Sequence, residues 1–452
     1  MNIATAIFDL LQSGLGGLAA YLAAHVLLCL LPAFFIAGAL AALLPKEAIT
    51  RYLGRNASKW ISYPASALGG FFLAVCSCTI LPLFASIYKK GAGLGPAITF
   101  LFVGPAVNIL AISLTGVQIG LDIALARIIL SMIFGVVIGL LMAWFFRKDD
   151  REHAEEAAKS HLFDGEATIP TKTIVFFLLL LGTLLAGTLQ IGLFRNVLLE
   201  ITIPGTWAAD LQNGLNALVP PDPSLGIEGI TVHGLILIGL LLLIAVSAIK
   251  GFKDIFTGLN RWTFVTLGLI TLTLVIASFS VATTTGGLAI GINGRLLTIS
   301  ALLGGIWWMA VRFFNEVERQ EWLWETWRFV KQIIPLLLIG VFAASIARTL
   351  IPGAWIQTLA GSNTVLANFA GVVFGVFMYF PTLVEVPVAQ TFLSLGMHRG
   401  PLLAYLLADP ELSLQSILIT NTVIGKKKTA VYVILVAIFS TLSGLIFGWF
   451  IQ

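Results

Sequence analysis

Apolar residues form long runs along this chain, and short charged segments separate them. Residues 15–44, 173–199 and 429–450 each supply the ~20 apolar residues that a helix needs to cross ~30 Å of hydrocarbon. Helices satisfy their backbone hydrogen bonds internally, as lipid requires. The pattern therefore predicts an all-α polytopic membrane protein. The first run exceeds the apolar core of a signal peptide, so we interpret it as a retained span.

The sequence also contains an internal repeat. Shifted by 305 positions, residues 76–120 align without a gap with residues 381–425. Identical pairs include Pro82 with Pro387, Gly91 with Gly396 and Pro105 with Pro410. We predict four parts: a first repeat in residues 1–146, a cytoplasmic charged loop in 147–172, central transmembrane helices with an amphipathic helix in 173–331, and a second repeat in 332–452.

The placement of Lys and Arg predicts how these repeats cross the membrane, because cytoplasmic loops carry the excess of both. If residues 64–88 and 364–395 are re-entrant hairpins, 21 of the 25 non-membrane Lys and Arg fall on one side. If the two segments are instead complete spans, the Lys and Arg residues divide much more evenly between the two sides of the membrane. The hairpin arrangement predicts about ten transmembrane helices and opposite orientations of the two copies, which is an inverted repeat.

Composition narrows the class of protein. The chain is 58% hydrophobic and 11% charged, whereas soluble domains are about a quarter charged. The net charge of +4 comes from residues in the loops, and no contiguous basic surface for nucleic acid is predicted. The sequence has no Gly-rich phosphate loop, so we expect no ATP hydrolysis. The loops carry no catalytic pattern, and neither enzymatic activity nor a cofactor is expected. The expected partners are membrane lipid and a small substrate in the plasma (inner) membrane; a homo-oligomer is left open.

The tip of the first hairpin carries two of the three cysteines. Cys76-Ser77-Cys78-Thr79 precedes Pro82, and the third cysteine, Cys29, also lies in an apolar run. Thiolates are soft ligands suited to trivalent arsenic, Cu(I) or Zn, and the two hydroxyls add oxygen ligands at the same turn. The alternative is that the cysteines only allow tight packing at a helix break, which the hydroxyls cap.

The tip of the second hairpin carries an acidic residue between Thr382 and Pro387, namely Glu385. An ionisable group near the bilayer centre costs at least ~2.5 kcal/mol and is seldom placed there without a function. We expect Glu385 to carry a proton or to bind a cationic substrate. The alternative is a structural partner for Arg127 or for a freed backbone amide.

Further polar residues follow the hairpins. Asp409 and Glu411 flank Pro410 and are expected to complete a carboxylate cluster with Glu385 that favours protons or cations. Asn108 and Ser413 are expected to form a symmetric polar pair near the membrane midplane. Arg127 is expected to snorkel to the outer surface, and His25 to be a packing residue.

Two segments mix charge with Trp, residues 46–59 and 315–331, as is typical of amphipathic helices that lie in the membrane interface. Residues 200–229 are rich in Pro and Gly and predict an outer loop.

The run CSCTILPLFASIYKKGAGLGPAITFLFVGPAVN, residues 76–108, resembles the signature of a predicted permease family that includes organoarsenical efflux permeases and proposed copper or zinc exporters. The resemblance covers both repeats and implies a permease. The resemblance does not identify the substrate. Many members of the family it resembles have a second cysteine-bearing motif in the later repeat, where this chain has Tyr379 to Glu385.

The leading functional hypothesis is a secondary transporter that exports a soft metal or metalloid species in exchange for protons. Paired broken helices in inverted repeats favour it. A transmembrane thiol oxidoreductase is an alternative, although two cysteines one residue apart on a single hairpin fit it poorly. An ion channel is a further alternative, because channels also use re-entrant hairpins.

Overall fold

A computed structural model describes the protein over residues 3–24, 28, 30–44, 46–73, 77–107, 109–159, 170–189, 192–220, 229–253, 255, 258–284, 287–350, 353–377 and 382–451. Five of the residues discussed above lie outside these ranges, namely His25, Cys29, Cys76, Asn108 and Tyr379. For Ser77, Cys78, Thr382 and Pro387 the description extends to the backbone but not to the side chain.

The first part of the chain is helical. It contains α1 (Ile3–Ala24), α2 (Leu31–Leu43), α3 (Lys46–Leu53), α4 (Lys59–Leu73), α5 (Ser77–Lys89), α6 (Leu94–Ala106), α7 (Ile109–Gln118) and α8 (Leu121–Phe145).

The central part combines helices with three strands. In order these are α9 (Arg147–Lys159), α10 (Thr171–Thr188), α11 (Gly192–Arg195), β1 (Val197–Pro204), α12 (Trp207–Leu218), α13 (Val232–Gly251), α14 (Arg261–Ala277), β2 (Ser280–Thr284), β3 (Gly287–Asn293), α15 (Gly294–Arg312) and α16 (Glu316–Leu350).

The last part is again helical. It contains α17 (Gly353–Ala360), α18 (Val365–Phe377), α19 (Thr382–Ser394), α20 (Arg399–Leu412), α21 (Leu414–Ile424) and α22 (Lys426–Phe450).

Within the described residues, six helices are long and apolar enough to cross a membrane, or seven if α20 and α21, bent by 46°, form one span. They are α8, α10, α13, α15, the first 28 residues of α16, and α22. Helices α2, α6, α14 and α18 are apolar but shorter. The chain is thus a mainly helical multi-pass membrane protein, and the full count of about ten crossings stays a prediction.

Both segments predicted as hairpins fold back on themselves. The amide of Gly93 donates to the carbonyl of Leu53 (2.8 Å), and the amide of His398 donates to that of Ala360 (2.9 Å), so the chain enters and leaves each segment at one place; re-entry into the membrane stays a prediction. Helices α4, α5, α18 and α19 contain 15, 13, 13 and 13 residues. Each is therefore only ~20 Å long, less than the ~30 Å of hydrocarbon.

The repeat seen in the sequence extends to the helices and to their packing. Helices α5, α6 and α8 begin 305 residues before α19, α20 and α22. A Cβ on Gly95 of α6 would lie 2.9 Å from the carbonyl oxygen of Gly139 in α8, and one on Gly400 would lie 2.7 Å from that of Gly444. The same shift relates the two pairs. Small residues let both helix pairs approach closely at equivalent positions.

Two ion pairs place the second repeat against opposite ends of α8. Arg399, which begins α20, lies 2.7 Å from Asp122 at the start of α8. Lys428, near the start of α22, lies 3.4 Å from Asp149 just beyond the end of α8. Helix α22 therefore begins where α8 ends, so the repeat-related pair runs in opposite directions.

The charged segment 147–172 is not simply a loop, because it begins with the helix α9. Its Ala, Glu, Lys and Arg residues are strong helix formers, and Arg151 pairs with Glu155 at 2.7 Å, one turn away. Asp150 accepts a hydrogen bond from the amide of Leu94 (2.7 Å), which caps α6. The sequence did not predict this helix because the segment has no apolar residues repeating at helical spacing. Residues 160–169 lie outside the described part.

The prediction of an outer loop at residues 200–229 is also wrong for most of its length. It contains the end of β1 and the whole of α12. Strand β1 pairs with β3, which β2 flanks on its other side, all antiparallel. The partner strand lies far away in the sequence, so local composition could not indicate the pairing.

Candidate functional site

The second hairpin places Glu385 in the interior. Glu385 lies in the first turn of α19, where the chain re-enters helix, and its side chain is 1% exposed. Glu385 is therefore a buried carboxyl group at the start of α19, and its role in transport stays a prediction.

Glu385 forms an ion pair with Arg127 of the first repeat. The Nη2 atom of Arg127 lies 3.0 Å from Oε1 of Glu385 and donates a hydrogen bond to Oε2 at 3.1 Å. The Nε atom of Arg127 donates to the carbonyl of Ala106, the last residue of α6, at 3.0 Å. Arg127 therefore joins three elements, α8, the end of α6 and the tip of α19.

The expectation that Arg127 snorkels outward is wrong. Its side chain is 0% exposed, and it lies on the face of α8 that carries the buried Ala124 and Ser131. An ion pair plus a backbone acceptor offers the guanidinium a polar environment within the protein, so it does not need to reach water. Its Nη1 atom is buried and has no hydrogen-bond partner within the described residues.

A second carboxyl group, Glu411 of α20, lies within electrostatic range of both Arg127 and Glu385. It is 3% exposed, and its Oε2 atom accepts a hydrogen bond from the hydroxyl of Tyr432 in α22 at 2.8 Å. Its Oε1 atom is buried without a hydrogen-bond partner in the part of the chain that the structure describes. We refer to Arg127, Glu385, Glu411 and Tyr432 as the buried charge cluster.

Asp409 is also buried, but it faces a different helix. Residues two apart on a helix point to opposite sides, and the Cβ of Asp409 would lie 3.4 Å from a Cβ added to Gly375 of α18. Gly375 and Asp409 correspond to Gly70 and Gly104 of the first repeat, where the helices are equally close. Asp409 thus occupies a helix-packing position. It lies on the opposite face of α20 from Glu411, so the three carboxylates do not form the single cluster that was predicted.

Ser413 forms the break between α20 and α21. Its backbone is extended, and its hydroxyl accepts from the amide of Ser416 at 3.4 Å, capping α21. The predicted pairing of Ser413 with Asn108 stays a prediction because Asn108 lies outside the described residues.

The first hairpin is described from Ser77 onward. Thr79 and Pro82 are buried in α5. Ile80, which follows Thr79, packs directly on Gly104 of α6. The role of the Cys76 and Cys78 thiols stays a prediction. Among the described residues there is no group of three or more His, Cys, Asp or Glu placed to hold a metal ion.

Sequence reasoning missed Tyr432 and the direction of Arg127. Tyr432 is one of few hydroxyl-bearing aromatics in a long apolar run, which was a usable signal, since a buried Tyr hydroxyl usually finds a partner. The pairing of Glu385 with Arg127, considered above as the alternative role of Glu385, is present in the structure, and the presence of two opposite intramembrane charges was its signal.

Comparisons with known proteins give a consistent result. The predicted permease family matches residues 14–449 of the chain. A UPF0718 protein of Methanocaldococcus jannaschii is 33% identical over 448 residues, which is 99% of this chain and 98% of that protein. No solved structure matches the chain.

Proposed function

The chain belongs to the predicted permease family, and we propose that it is a proton-coupled secondary transporter of the plasma membrane that exports a soft metal or metalloid species. One observation carries the coupling part of this proposal. Two carboxyl groups, Glu385 and Glu411, are buried, and among the described residues Arg127 forms an ion pair with Glu385 whereas Glu411 is bonded only by the hydroxyl of Tyr432. Because one cation neutralises only one carboxylate, the other needs a proton or a cationic substrate to remain in the membrane interior.

Alternating access is supported by the arrangement of the repeats. Two hairpins of half-length helices belong to copies whose equivalent helices, α8 and α22, run in opposite directions. In transporters with inverted repeats and broken helices, the substrate site lies near the membrane midplane, and the repeats move against each other to open that site to one side at a time. The inverted repeat and about ten crossings are part of this proposal.

Each residue then has a role. Glu411, with Tyr432, holds the transported proton, and Glu385 is held by Arg127 until the second hairpin moves. Asp409, against α18, is a further proton site. Cys76 and Cys78, with Ser77 and Thr79, bind the substrate at the first hairpin; Pro82, Asn108, Thr382 and Pro387 shape the two breaks.

The coupling role is tested in proteoliposomes with an imposed pH gradient. We expect Glu411→Gln to abolish gradient-driven transport while leaving exchange of substrate for substrate, because a neutral amide neither binds nor releases the proton. Glu200→Gln, at an exposed position of β1, is the matched control. Gradient-driven transport that survives Glu411→Gln at the wild-type rate would exclude this proton site.

The substrate class is tested with the cysteines. The family resemblance and the soft-ligand chemistry of Cys76-x-Cys78 support trivalent arsenicals, Cu(I) or Zn²⁺. We expect Cys76→Ser with Cys78→Ser to reduce transport of these species at least tenfold, and Cys29→Ser to have no effect. Equal transport by the double variant and the Cys29→Ser control would exclude a thiolate site.

A further inference from the structure

A cavity lies among the central helices, away from the buried charge cluster. Its volume is about 360 Å³, within the range of ~300–1,000 Å³ that is typical of ligand sites. Its walls come from α2, α10, α14, α15 and α16, and most of the lining residues are Leu, Ile, Phe, Trp or Ala.

The few polar groups deep in the cavity already have partners. The hydroxyl of Thr183 donates to the carbonyl of Leu179 at 2.9 Å. Thr271 donates to the carbonyl of Leu267 at 2.9 Å and accepts from the indole of Trp307 at 3.1 Å. The interior therefore offers no free hydrogen-bonding group at these positions, so an apolar occupant fits it best.

The mouth of the cavity is different, because it carries Arg319. The Nε atom of Arg319 is buried without a hydrogen-bond partner within the described residues. Glu318, the adjacent acid, is paired with Lys172 at 2.8 Å, and Glu316 accepts from Gln320 at 3.5 Å. Arg319 is consequently a cation without an ion-pair partner in the described part of the chain.

The walls of the cavity extend over the depth of one leaflet. On α14 they run from Phe264 to Leu274, which is ~15 Å of helix, or half of the ~30 Å hydrocarbon core. The charged mouth lies at the start of α16, near the end of α15 and the start of α14. These three helix ends mark the same membrane surface.

We propose that this cavity binds one membrane phospholipid, with an acyl chain between α14, α15 and α16 and the phosphate on Arg319. The apolar depth matches the chain, and the guanidinium matches a phosphate, to which it donates charge-assisted hydrogen bonds. In the predicted topology the phosphate lies at the cytoplasmic surface. The site is independent of the proposed transport cycle.

Native mass spectrometry of the delipidated protein tests the site, with phosphatidylglycerol as the probe. We expect one phosphatidylglycerol molecule to remain bound after more weakly held molecules are removed. Arg319→Gln should weaken this binding about tenfold, and Ala310→Trp, which fills the cavity, should abolish it. Val246→Trp, at a position of α13 that is 59% exposed, is the control for an added indole and should bind normally.

Two further probes separate the acyl chain from the headgroup. Glycerol 3-phosphate has the phosphate without an acyl chain, and dodecyl maltoside has an alkyl chain without a phosphate. Neither should be retained as strongly as phosphatidylglycerol. Equal retention of dodecyl maltoside would overturn the phosphate contact. Unchanged phosphatidylglycerol binding in Ala310→Trp would overturn the cavity as its location. If Ala310→Trp fails to elute as a folded protein, Leu267→Trp on α14 replaces it, and unchanged binding by Arg319→Gln refutes the proposal on its own.

Discussion

At the scale of single residues, Arg127 has the most demanding environment. A fully buried guanidinium loses its hydration, and only good geometry with an opposite charge and further acceptors compensates for that loss. Arg127 has both, since Glu385 and the carbonyl of Ala106 lie at 3.0 Å. We therefore expect the pair to behave as one unit, so that the loss of both groups costs less than the sum of the two single losses.

A double-mutant cycle tests this unit. We expect Arg127→Met or Glu385→Gln alone to destabilise the protein by ~3–5 kcal/mol, because each leaves a buried group unpaired, and the double variant to lose less than the sum. Thermal unfolding in detergent measures the change. Arg399→Met, which breaks a half-exposed pair with Asp122, is the control and should cost only ~0–1 kcal/mol. Additive losses at Arg127 and Glu385 would contradict a coupled pair.

Tyr432 is expected to hold Glu411 in place. Tyr432→Phe removes the donor to Oε2 of Glu411 and should cost ~1–3 kcal/mol, since a buried carboxyl oxygen then lacks a partner. Thermal unfolding again measures it, with Tyr52→Phe at an exposed position of α3 as the control. The hydrogen bond would lose its assigned importance if both variants unfold at the same temperature.

At the scale of elements, glycine contacts determine how closely the repeat-related helices pack. The Gly95–Gly139 contact joins α6 to α8, and the Gly400–Gly444 contact joins α20 to α22. In both, an added side chain would meet a polar side chain and also a backbone carbonyl, and the carbonyl cannot move aside as the end of a flexible side chain can.

Substitution at these glycines should therefore have equal effects in the two copies. We expect Gly139→Val and Gly444→Val each to destabilise the protein by ~1–3 kcal/mol or more through overpacking. Gly239→Val on α13, where nothing lies within 4 Å of an added Cβ, should cost much less, about the difference in helix propensity. A tolerated Gly139→Val beside a disruptive Gly444→Val would mean that the two copies pack differently.

Elements with local signals were the ones that the sequence predicted. Short apolar runs and the positions of Lys and Arg predict the hairpins, whose re-entry into the membrane stays a prediction. The charge of Glu385 within such a run predicts a functional residue, and the structure shows that this residue is buried. Strand β1 was missed because it depends on a contact between distant residues, its pairing with β3. The pairing of Arg127 with Glu385, 258 positions away, was predicted only as an alternative, since the sequence alone does not show which buried charges meet. Helix α9 was missed because its stability comes from propensity and docking rather than from an apolar period.

At the scale of the whole molecule, α8 connects two surfaces. It contains 25 residues and so spans ~37 Å, with Asp122 at one end and Asp149 just past the other. Each end forms an ion pair with the second repeat. The arrangement predicts which residues share a side of the membrane.

Cysteine accessibility tests this topology in a variant without the native cysteines. We expect Leu121→Cys, Ser362→Cys and Ser394→Cys to react with an impermeant maleimide from one side, and Lys148→Cys and Lys426→Cys from the other. All five positions are exposed. If Ser362→Cys and Ser394→Cys react from opposite sides, the segment between them is a complete span and not a hairpin.

The distance in sequence between Arg127 and Glu385 also matters while the protein is being made. Ribosomes add ~5–20 residues per second, so Arg127 emerges ~10–50 s before the glutamate that neutralises it. During that interval the nascent first repeat holds a guanidinium whose carboxylate has not been synthesised. The first repeat alone is therefore an unfinished assembly, because a chain that ends before residue 385 lacks the carboxylate that pairs with Arg127.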